Sequence, residues 1–213
     1  MRFRSFVCGL FTSMLLVGTI AGQTMTHLNF GGGAGFSIPT ARAGNDLNDG
    51  WNLDLRGGYN LSPHLALDLD FSYNRCNLNA AALALYQQPG GYTSIWSVSL
   101  NPVYRFSPRN RVDLYTFGGP GLYHRNLSLT QPTTVTTIYC DPFFGYCYPA
   151  TIGLNQVVAS FTTYKGGVNL GGGLEFRIGD SKFRAFSEAR YSRMFTTHGS
   201  DLVYVPVTFG LRW

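Results

Sequence analysis

The sequence predicts an all-β protein, an eight-stranded antiparallel transmembrane β-barrel with short periplasmic turns and long extracellular loops. Three observations carry that expectation. Apolar and polar residues alternate with period two in eight separate segments. The connections between them alternate between tight polar turns and long loops. Charged residues make up only 13% of the chain while aromatics reach 15%, against roughly a quarter charged in ordinary soluble domains. Beyond Gly22 no run approaches the ~18 apolar residues of a membrane helix, so any spanning falls to tilted strands of about 9–11 residues.

Taken in order, the chain opens with Arg2 and Arg4, an uncharged run from Ser5 to Ile20 and the small residues Ala21 and Gly22. That is the pattern of a secretory signal peptide, residues 1–22, cleaved after Ala21 or Gly22. The run is short for a membrane anchor, has no charged stop after it, and places Cys8 too early for lipidation. The barrel domain is then 23–213, a size that fits one domain. Removing Arg2 and Arg4 lowers the sixteen basic residues to fourteen, against eleven acidic ones. So small and dispersed an excess argues against nucleic acid as a partner.

The first strand sets Phe30, Ala34, Phe36 and Ile38 against Asn29, Gly31, Gly33 and Ser37. The second sets Trp51, Leu53, Leu55 and Tyr59 against Asn52, Asp54, Arg56 and Asn60. The third sets Leu67, Leu69, Phe71 and Tyr73 against Asp68, Asp70, Ser72 and Asn74, and the fourth Trp96, Val98, Leu100 and Tyr104 against Ser97, Ser99, Asn101 and Arg105. The fifth, from about Arg111 to Tyr123, is the least regular, because Val112 and Leu114 have one parity and Tyr115 and Phe117 the other. The sixth sets Tyr164, Val168, Leu170, Leu174 and Phe176 against Lys165, Asn169, Glu175 and Arg177. The seventh sets Ala185, Ala189 and Tyr191 against Arg184, Glu188, Arg190 and Ser192. The eighth runs Val203–Trp213 with Val205, Val207, Phe209, Leu211 and Trp213 on one face.

Ser62–His64, Ser107–Asn110 and Gly179–Lys182 read as tight turns. Pro39–Gly50, Arg75–Thr93, His124 to about Ala159, and Phe195–Leu202 read as long loops. With eight strands both termini fall on the turn side. Period two alone does not say which face is outside, since a soluble lipocalin-like ligand carrier would bury the apolar one. The Gly, Ser and Asn on the polar faces suit a narrow interior. Tyr59, Tyr73, Trp96, Tyr104, Tyr191 and Trp213 near strand ends suit aromatic girdles at the two interfaces.

On the terminal Val207-Thr-Phe-Gly-Leu-Arg-Trp213, the Gly-rich Leu170–Phe176 and Phe186–Tyr191, the chain resembles the OmpA/OmpX-type family of eight-stranded outer-membrane barrels. The resemblance implies a cell outer membrane location, in contact with outer-membrane lipid and lipopolysaccharide. It also implies a C-terminal signal, here Val207, Phe209, Leu211 and Trp213, read by the barrel-assembly machinery. The chain is expected to differ from full-length OmpA in having no peptidoglycan-binding domain after the barrel.

In such a barrel Asp54, Arg56, Asp68, Asp70, Arg105, Lys165, Glu175, Arg177, Glu188, Arg190 and Arg212 would point inward. A lone charge in a narrow lumen costs several kcal/mol, so these are expected to pair into an ion-pair network that plugs the barrel, with a conducting pathway or proton relay as the alternative. Some small outer-membrane barrels resemble lipid A deacylases or acyltransferases, whose sites need a nucleophile, a base and an acid together. Here His27 precedes the first strand, His64 sits in a turn, and His124 and His198 lie near the outer rim. Ser128 follows His124 by about 13 Å of strand. No catalytic set, cofactor or metal is therefore expected. Cys140 and Cys147 bracket a short segment of the longest loop in an oxidising compartment and are expected to form a disulfide, leaving Cys76 over. From Asn126 to Ala159 the sole charge is Asp141, and Phe143, Phe144, Tyr146 and Tyr148 cluster at the tip. The expected role is non-catalytic: envelope integrity, surface interaction through this loop with an extracellular ligand or partner, or both. A lipid-modifying enzyme and a small-conductance pore are the rivals.

Overall fold

The computed structural model describes residues 27–179, 181–197 and 201–213; the signal peptide expected at 1–22, Asp180 and His198 lie outside them. Eight strands follow one another: β1 Leu28–Thr40, β2 Leu47–Asn60, β3 Leu65–Leu78, β4 Gly90–Arg105, β5 Val112–Cys140, β6 Cys147–Arg177, β7 Arg184–Met194 and β8 Leu202–Arg212. Each pairs with the next, and β8 pairs antiparallel with β1, closing the ring. Reciprocal backbone bonds between Phe30 and Trp213, 2.9 and 3.0 Å long, complete the seam. Closure leaves the barrel wall no unpaired edge, which is the condition for crossing hydrocarbon.

The side chains settle which face is outside. Leu53 and Leu55 are 48% and 61% exposed, whereas Asp54 and Arg56 between and beside them are 3% and 5% exposed. The same alternation runs round the ring, so the polar face is the interior and the lipocalin-like arrangement is excluded. Outward aromatics gather at both ends of this apolar band. Trp51, Tyr73 and Trp96 pack in a tilted row at the loop end, with ring centroids 5.0 and 4.4 Å apart. Phe30 and Phe183 flank Trp213 at the turn end, at 6.2 and 6.3 Å. Two such belts at headgroup depth are what an interface-anchored barrel shows.

Four segments depart from the period-two reading. Two loops contain helix: α1 Ala43–Asp46 and α2 Ala80–Tyr86. The second is built from Ala and Leu, opened by Asn79, whose side chain accepts from Ala82 N at 2.9 Å, and closed by left-handed Gln87. In β5, Tyr115 and Phe117 point inward and are almost fully buried, while Val112 and Leu114 face out. Their mixed parity reflects an interior aromatic pair, matched by Gly173 and Gly171, their cross-strand partners on β6. The loop expected from His124 to Ala159 is largely strand, in keeping with the β-branched and aromatic residues of Thr133–Tyr139 and Val157–Tyr164. β5 and β6 stay paired up to Cys140↔Cys147, with one register shift at Leu129/Thr130.

Candidate functional site

Two features stand out, a packed lumen and an exposed ribbon. Within the lumen the register places charge low, neutral polar groups in the middle and apolar groups at the outer mouth. Arg56 binds Asp54 at 2.6 Å and Glu188 at 2.7 Å. Arg190 Nη2 reaches Asp54, Asp70 and Glu188 at 3.3, 3.0 and 3.1 Å. Tyr115 donates to Glu188 at 2.8 Å and Asn101 to Asp70 at 2.6 Å. Nearer the turns, Arg212 joins Glu175 at 2.5 Å and Asp68 at 2.8 Å. Arg184 lies 3.5 Å from Glu175 and 3.8 Å from Asp113. Rings cover the guanidinium planes: Phe186 over Arg56 at 4.6 Å and Phe117 over Arg190 at 4.9 Å. Charges so deeply buried are tolerable only in such mutual compensation.

Lys165 and Arg177, expected in this network, do not join it. Both keep inward parity on β6, but β6 runs past the packed interior at each end. Lys165 donates to Thr197 at the outer rim, and Arg177 is exposed at the turn end. Asp113 and Tyr115 belong to the network and were missed, because the irregular fifth strand hid which face they share. Above the charges lie Ser72, Asn74 and Ser97, mutually hydrogen-bonded. Above these, Leu78, Ile95, Tyr123, Met194 and Tyr204 form an apolar layer against α2.

The ribbon begins where its neighbours stop. β4 ends at Gly90↔Thr130 and β7 at Gly167↔Met194. From there Gln131–Cys140 and Cys147–Lys165 each have one unpaired edge, extending about 30 Å beyond β4 at 3.3 Å per residue. Cys140 and Cys147 form a disulfide at its end. Between them Asp141 Oδ1 accepts from Phe143 N at 2.7 Å and Phe144 N at 3.1 Å, and Gly145 takes φ of 73°. That local turn directs Phe143, 89% exposed, and Phe144, 72% exposed, out to solvent. Tyr146 stacks on Phe144 at 6.2 Å and Tyr148 is also exposed. Replacing Cys140 and Cys147 with serine is expected to loosen the tip by about 2–3 kcal/mol. Hydrogen exchange should speed up there, with the unfolding of the barrel itself unchanged.

A second clamp ties the end of β7 to Asp201, just before β8. Asp201 accepts from Thr196 N at 3.0 Å and from Arg193 at 2.6 Å. The Thr196 backbone bond first, then Arg193, holds the Asp201 carboxyl below its ordinary 3.8. A depressed folded value gives stabilisation that is present above the ordinary value and lost as pH falls through the depressed one. Amide exchange at Thr196 should therefore accelerate only below about pH 4, and Asp201→Asn should remove that step.

The histidines do not assemble a reactive set among the described residues. His27 stacks on Tyr59 and His64 lies beside Tyr104. His124 faces the bilayer side and stacks on Tyr164 at 4.4 Å, in a groove with Trp96, Val98 and Leu122 that no carboxylate lines.

A closed eight-stranded ring with an apolar, aromatic-belted exterior and a charge-compensated interior defines a transmembrane β-barrel of the outer-membrane kind. The chain belongs to the outer membrane protein β-barrel domain family, whose model matches residues 10–212. Among solved structures it is similar to Neisserial surface protein A, with TM-score 0.57 and 13% identity over 87% of this chain and 95% of that one. A major outer membrane protein of Thermus thermophilus matches with TM-score 0.50 and 12% identity over 87% and 97%. Ail, the attachment invasion locus protein of Yersinia pestis, matches with TM-score 0.49 and 16% identity over 88% and 99%. At these identities the likeness is one of fold. No curated protein sequence matches the chain. The family points to the outer membrane.

Proposed function

We propose that this protein is a non-catalytic outer-membrane barrel that presents the β5–β6 ribbon to a partner outside the cell. The observation that carries the reading is the ribbon itself, free of charge from Asn126 to Ala159 apart from Asp141. An unpaired strand edge without charge offers its N–H and C=O groups to an extended segment of another molecule. The tip adds Phe143 and Phe144, both far out in solvent, and large exposed apolar groups mark interaction surfaces. The packed lumen supports an anchoring role over transport, since eight strands leave an interior that side chains fill. On the same reading the outward Phe209, Leu211 and Trp213, with Val207, serve recognition by the barrel-assembly machinery, and the belted exterior meets lipopolysaccharide.

The test compares cells displaying the intact protein with cells displaying Phe143→Ser/Phe144→Ser/Tyr146→Ser, both checked for heat-dependent gel mobility. Attachment to epithelial monolayers should fall several-fold with the tip changed. If attachment is unaltered but deletion sensitises cells to large antibiotics, envelope integrity replaces surface interaction as the role. Altered lipid A mass, or reproducible single-channel steps in planar bilayers, would replace it with the enzyme or the pore.

A further inference from the structure

The turn-side mouth holds a guanidinium without a hydrogen bond. Arg105 ends β4 inside the barrel mouth, with its side chain 12% exposed. Its nearest carboxylate oxygen, Glu175 Oε1, is 3.9 Å away, and that oxygen is already held by Arg212 at 2.5 Å. Arg105 Nε is buried without a partner, and so is Arg212 Nε. Lys182 stands at the same opening, exposed, with no carboxylate partner among the described residues. Arg184 completes the set, one Nη on Glu175 at 3.5 Å and the other donating to Pro108 O at 2.8 Å. Three arginines thus share Asp68, Asp113 and Glu175, and Lys182 adds a fourth cation at the same opening. Asp113 Oδ1 is occupied, accepting from Ser107 N at 2.7 Å, and its Oδ2 lies 3.8 Å from Arg184. These cations border a cavity of about 250 Å³ that also touches Asn29 and Trp213.

We propose that this mouth is a binding site for one phosphate group, carried by a phospholipid headgroup of the periplasmic leaflet. A buried guanidinium lacking hydrogen bonds is costly, and a tetrahedral oxyanion supplies the acceptors it lacks. The size fits a headgroup rather than a polymer. Trp213, Phe30 and Phe183 form the aromatic belt immediately outside, so acyl chains can lie on the barrel wall while the phosphate reaches Arg105 and Lys182. Asn29 Oδ1, also buried and unpartnered, gives the headgroup's own hydroxyl or ammonium an acceptor. Exposed Arg109, Arg111 and Arg177 surround the same end and raise the local concentration of anions.

The test uses the full-length protein folded in detergent micelles, titrated with short-chain phosphatidylglycerol and, separately, with inorganic phosphate, and read by native mass spectrometry and ³¹P line broadening. Arg105→Gln and Lys182→Gln are each expected to weaken binding of the phospholipid about tenfold, the size of one charge-assisted hydrogen bond. Arg109→Gln, outside the cavity, should change it less than twofold. Retained heat-dependent mobility shows that the variants fold. Equal binding of free phosphate and phospholipid would keep the phosphate site and overturn the lipid as its source. No binding of either, or equal losses from Arg105→Gln and Arg109→Gln, would overturn the site.

Discussion

Arg190→Met is expected to cost the folded barrel about 3–5 kcal/mol, read by urea unfolding in lipid vesicles with tryptophan fluorescence. One Nη of Arg190 serves Asp54, Asp70 and Glu188, all within 3.3 Å. Its removal leaves Arg56 to hold Asp54 and Glu188. For Asp70 the polar partner that remains is Asn101, at 2.6 Å. A neutral amide cannot compensate a buried charge, and Met fills the vacated volume, so the loss measures uncompensated charge rather than a cavity. Arg193→Met is the comparison. Arg193 also has an ion pair at 2.6 Å, with Asp201, but its side chain is 48% exposed, so solvent screens the pair and its loss should scarcely move the unfolding curve. Replacing the whole layer at once, with Arg56 and Arg190 to Met, Asp54 and Asp70 to Asn and Glu188 to Gln, should recover most of the loss, because buried ion pairs rarely outdo packed neutral ones. An Arg190→Met barrel as stable as the Arg193→Met barrel would mean that water enters the lumen and hydrates these carboxylates, which would revive the conducting pathway.

Most of this architecture is legible in the sequence, because a barrel strand has two solvents and writes both into its period. Leu53-Asp54-Leu55-Arg56 can satisfy lipid and lumen in one register only, and a one-residue slip would put Asp54 in hydrocarbon. The inward charges were readable for the same reason, and their pairing follows from having nowhere else to go. What periodicity could not give was where the interior ends. Lys165 and Arg177 share the parity of Asn169 and Glu175, yet they lie past the packed zone, because parity fixes direction and not depth. Nor could it resolve the fifth strand. Tyr115 and Phe117 are apolar on the polar face, and their placement depends on glycines more than fifty residues later, a relation visible only once β5↔β6 register is known. The helix Ala80–Tyr86 was legible in principle, from Asn79 as a cap and an Ala- and Leu-rich run after it, but period-two reading does not look for it. The ribbon was half legible: its β-branched residues announced strand, while its unpaired edges follow from where β4 and β7 stop.

That fifth-strand relation leads to the second large effect. Gly171 and Gly173 sit directly across from Phe117 and Tyr115, and a methyl group at either position has no room. At Gly171 it would meet Phe117 Cζ at 2.5 Å and Ala189 O at 2.7 Å; at Gly173 it would meet Ser187 O at 2.5 Å and the Tyr115 hydroxyl at 2.7 Å. The rings lie over bare backbone in the space that side chains on β6 would otherwise take. Each Gly→Ala change is therefore expected to cost about 1–3 kcal/mol by overpacking. The double change should lower the fraction of protein showing the folded, heat-sensitive band. Gly166→Ala on the same strand, with nothing within 4 Å of the added carbon, should be neutral or slightly stabilising. In a Phe117→Ala background Gly171→Ala should cost less than it does alone, the two sites being coupled neighbours. The remainder belongs to Ala189 O, a backbone atom that cannot move without opening the β6–β7 ladder. If Gly171→Ala and Gly166→Ala prove equally harmless, Phe117 does not pack against β6, and the narrow charged lumen described for this barrel would have to be wider than its glycines imply.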